Sequence, residues 1–405
     1  MIIAQKVLRN VSLTAHPQGC AEYVCQQVEW VKRQVAQHMD NRYANPNPSA
    51  FPKRVLVVGG STGYGLSSRI VAAIVGKAGT INVSFEREPT EHKTATPGWY
   101  NTIAFERIAR KNNVFAASVF GDAYAHAVKE SAAAMIKKEF GSIDLLVYSL
   151  ASPLRVDEKT NRTYRSVIKP IETAYEALSV DVSTGMISRT VVEPAEDSQV
   201  EETVKVMGGE DWQQWISYLQ QEQLLSEGFK TVAFSYIGPE LTYPIYRNGT
   251  IGKAKEHLEQ TAIQLTSDLS SVRGQAFVAV NKAIVTRASA VIPVVPLYIA
   301  LLYRVMKDKG LHEDCTQQMY RLFSERLYGV GNVPVDSQGR IRVDDWEMSA
   351  EVQQAVSRLW DNQHEGSLIT GGDLDGFIQD YANIHGFGYD SIDYSADVDP
   401  RIVEE

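Results

Sequence analysis

With 405 residues, 44% of them hydrophobic, the chain can bury a large core, either as one extended α/β domain or as a domain with added lobes. Its net charge of −9 and the lack of a basic stripe argue against a nucleic-acid partner, because nothing would neutralise the phosphates. The three cysteines, Cys20, Cys25 and Cys315, show neither a metal spacing nor a disulfide framework.

No basic start followed by a long apolar core is visible at the N-terminus, so a cytoplasmic location is expected. Residues 1–39 read as a short strand-like lead and an amphipathic helix, with Val24, Val28 and Val35 near helical spacing. Residues 41–52, with Pro46, Pro48 and Pro52 among asparagines, read as an exposed linker.

The next run carries the strongest signal. Arg54 to Val58 is a buried strand of mostly β-branched residues that enters the turn Gly59-Gly60-Ser61-Thr62-Gly63-Tyr64-Gly65 and then a helix. Ile81 to Glu86 reads as the next parallel strand, ending in a carboxylate. Such an arrangement holds a dinucleotide: glycines admit the pyrophosphate, the helix N-terminus faces its charge, and Glu86 accepts a ribose hydroxyl. A carboxylate there repels a 2′-phosphate, so NADH is the expected cofactor, with Arg87 as a possible phosphate acceptor. The glycine spacing resembles that of short-chain dehydrogenases and their enoyl-reductase relatives.

A polar loop then reaches Pro97-Gly98-Trp99, followed by a helix, a strand over 114–120 and the turn Gly121-Asp122-Ala123. A further helix leads to the strand 143–148 and to Ser149-Leu150-Ala151. Alternation of this kind predicts a Rossmann-type doubly wound parallel sheet, short-chain dehydrogenase-like, with added N-terminal, insertion and C-terminal segments. Ligands of open α/β sheets lie outside the strands' carboxyl ends, which places Asp122 near the adenine and Ser149 to Ala151 beside the nicotinamide ribose. Asp122 can equally serve as a helix N-cap.

Residues 155–203 depart from the alternation, with short β-rich pieces at 166–168 and 190–192, and read as an insertion over the nucleotide sheet. A helix opens near Trp212, and the strands 231–236 and 276–281 resume the sheet. Residues 288–303 carry no charge but are short for a bilayer span and contain Pro293 and Pro296, so a buried loop leading into a helix is expected. His16, His126 and His257 have no partners at a metal-binding spacing, and no metal is expected.

Between the strands 231–236 and 276–281 stand Tyr236, Tyr246 and Lys255. A reductase of polarised alkenes must stabilise charge on the carbonyl oxygen, which a tyrosine hydroxyl does by hydrogen bond or proton transfer. A nearby lysine cation favours the ionised tyrosine and can hold the cofactor ribose. Tyr246 and Lys255 are nine positions apart, which on an unbroken helix puts them on opposite faces. They converge if Gly249 and Gly252 break the chain between them, and Lys253 competes with Lys255 for the role.

Nearly end to end, the sequence resembles the trans-2-enoyl-CoA reductases, a family that includes the FabV-type enoyl-acyl-carrier-protein reductases. The likeness rests on Ala15 to Cys20, Gly59 to Gly65, Pro97 to Asn101, Val147 to Pro153, Val204 to Trp212, Ser235 to Glu240, Asn281 to Ser289, and the Tyr-x8-Lys signature of Tyr246 and Lys255. The resemblance implies that Gly59, Gly60, Ser61, Thr62, Gly63, Tyr64, Phe85, Glu86, Asp122, Ala123, Leu150, Ala151, Lys255, Ile284, Val285 and Thr286 contact the dinucleotide. It further implies that Tyr236 binds substrate and that Tyr246 is the proton donor. The family's C-terminal segment has been labelled flavin-binding, but no flavin motif is visible here.

The expected activity is NADH-dependent reduction of the trans-2 double bond of enoyl-CoA thioesters, with enoyl-acyl-carrier-protein as the alternative substrate. From a different class, a dinucleotide-binding protein without turnover has the same fold requirements. The expected organisation is a lead and linker at 1–52, a dinucleotide-binding catalytic domain at 53–310 with its insertion, and a C-terminal helical extension at 311–405 packed on it. A monomer without a membrane span is expected.

Overall fold

The computed structural model describes residues 1–8 and 11–403. A small antiparallel pair, β1 (Val7–Leu8) and β2 (Val11–Ser12), precedes helix α1 (Pro17–Gln37). Then follow β3 (Arg54–Val58), α2 (Gly63–Gly76), β4 (Gly79–Ser84), α3 (Pro97–Lys111), β5 (Ala116–Phe120), α4 (His126–Glu139) and β6 (Ile143–Tyr148). Two antiparallel hairpins come next, β7 (Leu154–Val156) with β8 (Thr163–Arg165) and β9 (Tyr175–Val180) with β10 (Ile187–Val192). The chain continues through α5 (Asp197–Met207), α6 (Glu210–Gln221), β11 (Leu225–Ser235), α7 (Thr250–Asp268) and β12 (Gln275–Val280). It ends with α8 (Val295–Asp308), α9 (Cys315–Arg321), β13 (Arg340–Arg342), α10 (Ala350–Asp361) and α11 (Leu374–Ile384).

Seven strands form one parallel sheet in the order β13-β12-β11-β6-β3-β4-β5. The order reverses between β3 and β6, so a crevice opens at their carboxyl ends, where Gly59 and Ser149 leave the sheet. Alternation along the strands feeds two cores. Val55 and Val57 pack with Leu66 and Ile70 of α2, Phe105 of α3 and Val28 of α1. Leu56 and Val58 face the other side, with Ile136 of α4, Trp212, Trp215 and Ile216 of α6 and Leu265 of α7. Burial on both faces explains why β3 reads as a continuous apolar run.

A third core covers the carboxyl ends of the strands, joining Ile187 of β10, Tyr246, Ile284, Val285, most of α8, Val356 of α10 and Phe377 of α11. The charge-free stretch 288–303 is here a short 3₁₀ turn at Ser289–Val291 leading into the buried half of α8. Among the described residues no helix is long and apolar enough to cross a membrane.

Several local expectations differ from the structure. Val31 continues the buried face of α1, whereas Val35, in the last turns of the helix, is 37% exposed. The proline-rich stretch is pinned rather than free: Tyr43 packs edge-on against Trp30 and Tyr320, and Phe51 against Phe323 and Tyr328. Residues 166–168 are not a strand, because their backbone bonds side chains instead: Val167 N donates to Thr203 Oγ1 at 3.1 Å, and Thr250 Oγ1 donates to Val167 O. The C-terminal segment contributes an edge strand, β13, whose Ile341 pairs with Ala279.

Candidate active site

Gly59 takes a φ of +88°, and a Cβ there would lie 2.2 Å from the Ser149 carbonyl, so β3 and β6 can close on this turn with glycine alone. Helix α2 starts at Gly63 with Thr62 as an N-cap whose side chain accepts no helix N–H. Its first N–H groups are therefore free to take a pyrophosphate. Tyr64 sits in the first turn and donates to Lys282 O at 2.9 Å, tying the turn to the segment that leads into Ile284, Val285 and Thr286. Thr286 is also the nearest neighbour of the Gly63 Cβ position, at 3.9 Å.

At the end of β4, Ser61 Oγ donates to Glu86 Oε1 at 2.6 Å, while the buried Glu86 Oε2 has no partner. An orphaned carboxylate oxygen beside a glycine turn is the acceptor that a ribose hydroxyl needs, so the residues present fit a dinucleotide. Phe85, 82% exposed, offers an aromatic face next to it. Asp122 Oδ1 accepts from Tyr124 N at 3.0 Å, capping the turn, whereas α4 begins later, at His126. The Ala123 carbonyl is fixed by Lys129 Nζ at 2.8 Å and by Trp215 Nε1 at 3.1 Å. Leu150 and Ala151 follow β6 at the crevice.

Arg87 is exposed, and its backbone N–H bonds Thr96 Oγ1. The cation facing Glu86 is Arg287, whose Nη1 lies 3.9 Å from Oε1, a long-range neighbour that sequence spacing could not supply. Glu86→Ala should narrow the preference for NADH over NADPH by about tenfold or more, since it removes a repulsive carboxylate and frees Arg287 for a 2′-phosphate. Comparing kcat/KM for the two cofactors checks this, and an unchanged ratio would contradict it.

On the other side of the crevice, Tyr236 leaves β11 and Tyr246 packs edge-on against it, with ring centroids 4.9 Å apart and an interplanar angle of 82°. Burial, and after it the charge of Glu347, pushes the Tyr246 hydroxyl above its ordinary value. Helix α7 starts at Thr250 with Gly249 as its cap, so the chain breaks there. Gly252 lies inside the helix and lets it approach the preceding chain, where a Cβ would meet Arg247 O at 2.1 Å. Lys255 then reaches the same strand end, its Nζ donating to Phe234 O at 3.0 Å. Desolvation holds this ammonium down at about 8, with Glu259 opposing. Lys253 is exposed and pairs with Glu256 at 3.0 Å, so of the two lysines Lys255 is the one that bonds the strand end.

Sequence reasoning missed Glu347 and Tyr298. Tyr236 and Tyr298 both donate to Glu347 Oε1, at 3.2 and 2.7 Å, and Ala283 N donates to Oε2 at 2.7 Å. No local motif marks Glu347, which arrives from beyond β13. The histidines do structural work: His16 Nδ1 accepts from Gly19 N to cap α1, His257 Nδ1 accepts from Gly209 N, and His126 lies 3.6 Å from Glu130.

The profile of the trans-2-enoyl-CoA reductase catalytic region matches residues 93–328, and that of the NAD(P)H binding domain of trans-2-enoyl-CoA reductase matches residues 2–91. An enoyl-[acyl-carrier-protein] reductase [NADH] of Flavobacterium johnsoniae is 48% identical, with 98% of this chain and 97% of that protein covered. One of the same name from Coxiella burnetii is also 48% identical, covering 98% and 96%. The structure of Treponema denticola trans-2-enoyl-CoA reductase in complex with NAD superposes with a TM-score of 0.93 at 46% identity, covering all of both chains.

A profile described as an enoyl reductase FAD binding domain matches residues 335–398. Those residues do not fit a flavin dinucleotide. The N-termini of α10 and α11, which would receive its pyrophosphate, are closed by Ser349 accepting from Val352 N and by Asp373 accepting from Gly376 N. Asp373 is moreover an anion, already paired with Lys307 at 2.6 Å. With the glycine turn, the paired tyrosines and matches along nearly the whole chain in agreement, the protein belongs to the trans-2-enoyl-CoA reductase family.

Proposed function

We propose that the protein is a cytoplasmic, monomeric reductase that uses NADH to saturate the trans-2 double bond of enoyl-CoA thioesters. The observation that carries this reading is the packing of Tyr246 on Tyr236 at the end of β11, where Lys255 also arrives. Bound NADH supplies the hydride, which adds to the β-carbon of the substrate. Tyr236 holds the thioester, and Tyr246 meets the negative charge that develops on the carbonyl oxygen and supplies a proton. Lys255 holds the cofactor ribose and favours the ionised tyrosine that results. Solvent then protonates the α-carbon while the enol O–H proton returns to the ionised Tyr246, which completes the saturated thioester and restores the tyrosine. The third core, with α8 across the strand ends, excludes water from the acyl chain.

Reduction of enoyl-acyl-carrier-protein is the second reading, favoured by the names of the Flavobacterium and Coxiella relatives. An acidic carrier protein docks on exposed basic residues. Of the four exposed basic residues in the insertion, Arg162 pairs with Glu202 and Arg189 with Glu176 and Glu365, which leaves Lys159 and Arg165 to meet an acidic carrier and favours the free coenzyme A thioester. Measured on matched acyl chains, kcat/KM should be at least as high for crotonyl-CoA as for the carrier-linked thioester. A value well above it for the carrier would place the protein in fatty-acid elongation.

A further inference from the structure

Glu347 is fully buried and joins three parts of the site through one carboxyl group. Oε2 is occupied by the backbone N–H of Ala283, directly before Ile284, at 2.7 Å. Oε1 is shared by the hydroxyls of Tyr298, on α8, and of Tyr236. Gln353 fixes the assembly from α10, its Nε2 donating to Glu347 O at 2.8 Å and to Tyr298 Oη at 3.2 Å.

Tyr236 has one O–H to give. A carboxylate is an acceptor only, so an ionised Glu347 draws that hydrogen away from any thioester carbonyl. A neutral carboxyl group instead carries its own proton, and with Oε2 taken by Ala283 N–H that proton belongs on Oε1, facing the tyrosines. We infer that Glu347 is a positioning residue for Tyr236 that works in its protonated form, donating to the tyrosine oxygen and so turning the Tyr236 O–H toward the substrate carbonyl. The inference rests on the reading above, in which Tyr236 meets the thioester.

The surroundings place the switch in a useful range. Tyr236, Tyr246, Tyr298 from α8, Tyr64 from α2, Lys282 from the end of β12, and Asp344 on its own segment all face Glu347. Burial, assisted by Asp344, outweighs the Lys282 cation and the Tyr298 and Ala283 hydrogen bonds, and the carboxyl group is pushed up to about 7. Below that value the carboxyl group is neutral and Tyr236 is free to donate; above it the charge captures Tyr236 and opposes an ionised Tyr246 nearby.

The test is the pH profile of kcat/KM for crotonyl-CoA with NADH saturating, so that Lys255 is engaged. The wild-type value should fall about tenfold per pH unit above about 7. Glu347→Gln fixes a neutral group that can keep its oxygen on Ala283 N–H and turn its amide N–H toward the tyrosines. It should lower the plateau several-fold, because an amide is a weaker donor than a carboxylic acid, yet abolish the decline near 7, with NADH affinity unchanged. Tyr298→Phe removes a bond that favours the ionised carboxylate and should move the wild-type decline to higher pH, which keeps the test decisive if Glu347→Gln does not fold. A decline near 7 that survives in Glu347→Gln, or that stays in place in Tyr298→Phe, overturns the inference. A wild-type enzyme inactive on crotonyl-CoA at every pH would instead overturn the proposed activity.

Discussion

Tyr246→Phe is expected to lower kcat for an enoyl thioester by on the order of 10²-fold or more, while the Kd for NADH stays within about two-fold of wild type. The substitution deletes a hydroxyl and leaves the ring, so the edge-on contact with Tyr236 and the surrounding apolar packing persist. In the role proposed for Tyr246, what is lost is the donor to the oxygen on which charge develops, an interaction made most strongly in the transition state. Near-normal kcat in this variant would move the proton-donor role to Tyr236, whose ring packs against Tyr246.

Lys255→Ala should damage both turnover and cofactor binding. A charge-assisted hydrogen bond contributes about 1.5–3 kcal/mol, so NADH affinity should drop by about ten- to a hundredfold, and Tyr246 loses the cation that favours its ionised form. In the role proposed for it, the same lysine should also set a pH dependence in the wild type. Its desolvated ammonium titrates at about 8, lower than a free lysine, so its charge is fully present below that value and lost above it. NADH binding, followed by fluorescence without substrate, should therefore weaken as pH rises through about 8, and Lys255→Ala should bind weakly at every pH. A wild-type Kd that is flat from pH 7 to about 9.5 would contradict the assignment.

The parts of the site that could be read from sequence are those built by neighbours along the chain. The turn from Gly59 to Gly65 joins β3 to α2 within a few residues, and the doubly wound order follows from strands and helices that alternate at short range. The break between Tyr246 and Lys255 was legible for the same reason, although Gly249 caps the helix and Gly252 lies within it. Groups delivered from a distance were not legible. Arg287 reaches Glu86 across the crevice, and Glu347 reaches Tyr236 from a segment whose only strand among the described residues is three residues long. Tyr43 and Phe51 show the converse error: prolines and asparagines mark an extended path, but two aromatic rings are enough to pin it to the core. The capping box of Glu196 and Gln199 was the local signal that would have revealed α5.

An isotope experiment decides whether the protein reduces an enoyl thioester with NADH as the hydride source. Purified protein is mixed with crotonyl-CoA and NADH deuterated at the transferable position, NADH absorbance is followed, and the product is analysed by mass spectrometry and NMR. Stoichiometric loss of NADH is expected, with formation of butyryl-CoA, deuterium at the β-carbon and a solvent-derived proton at the α-carbon. NADH that binds but is not oxidised would contradict it and leave a dinucleotide-binding protein without turnover.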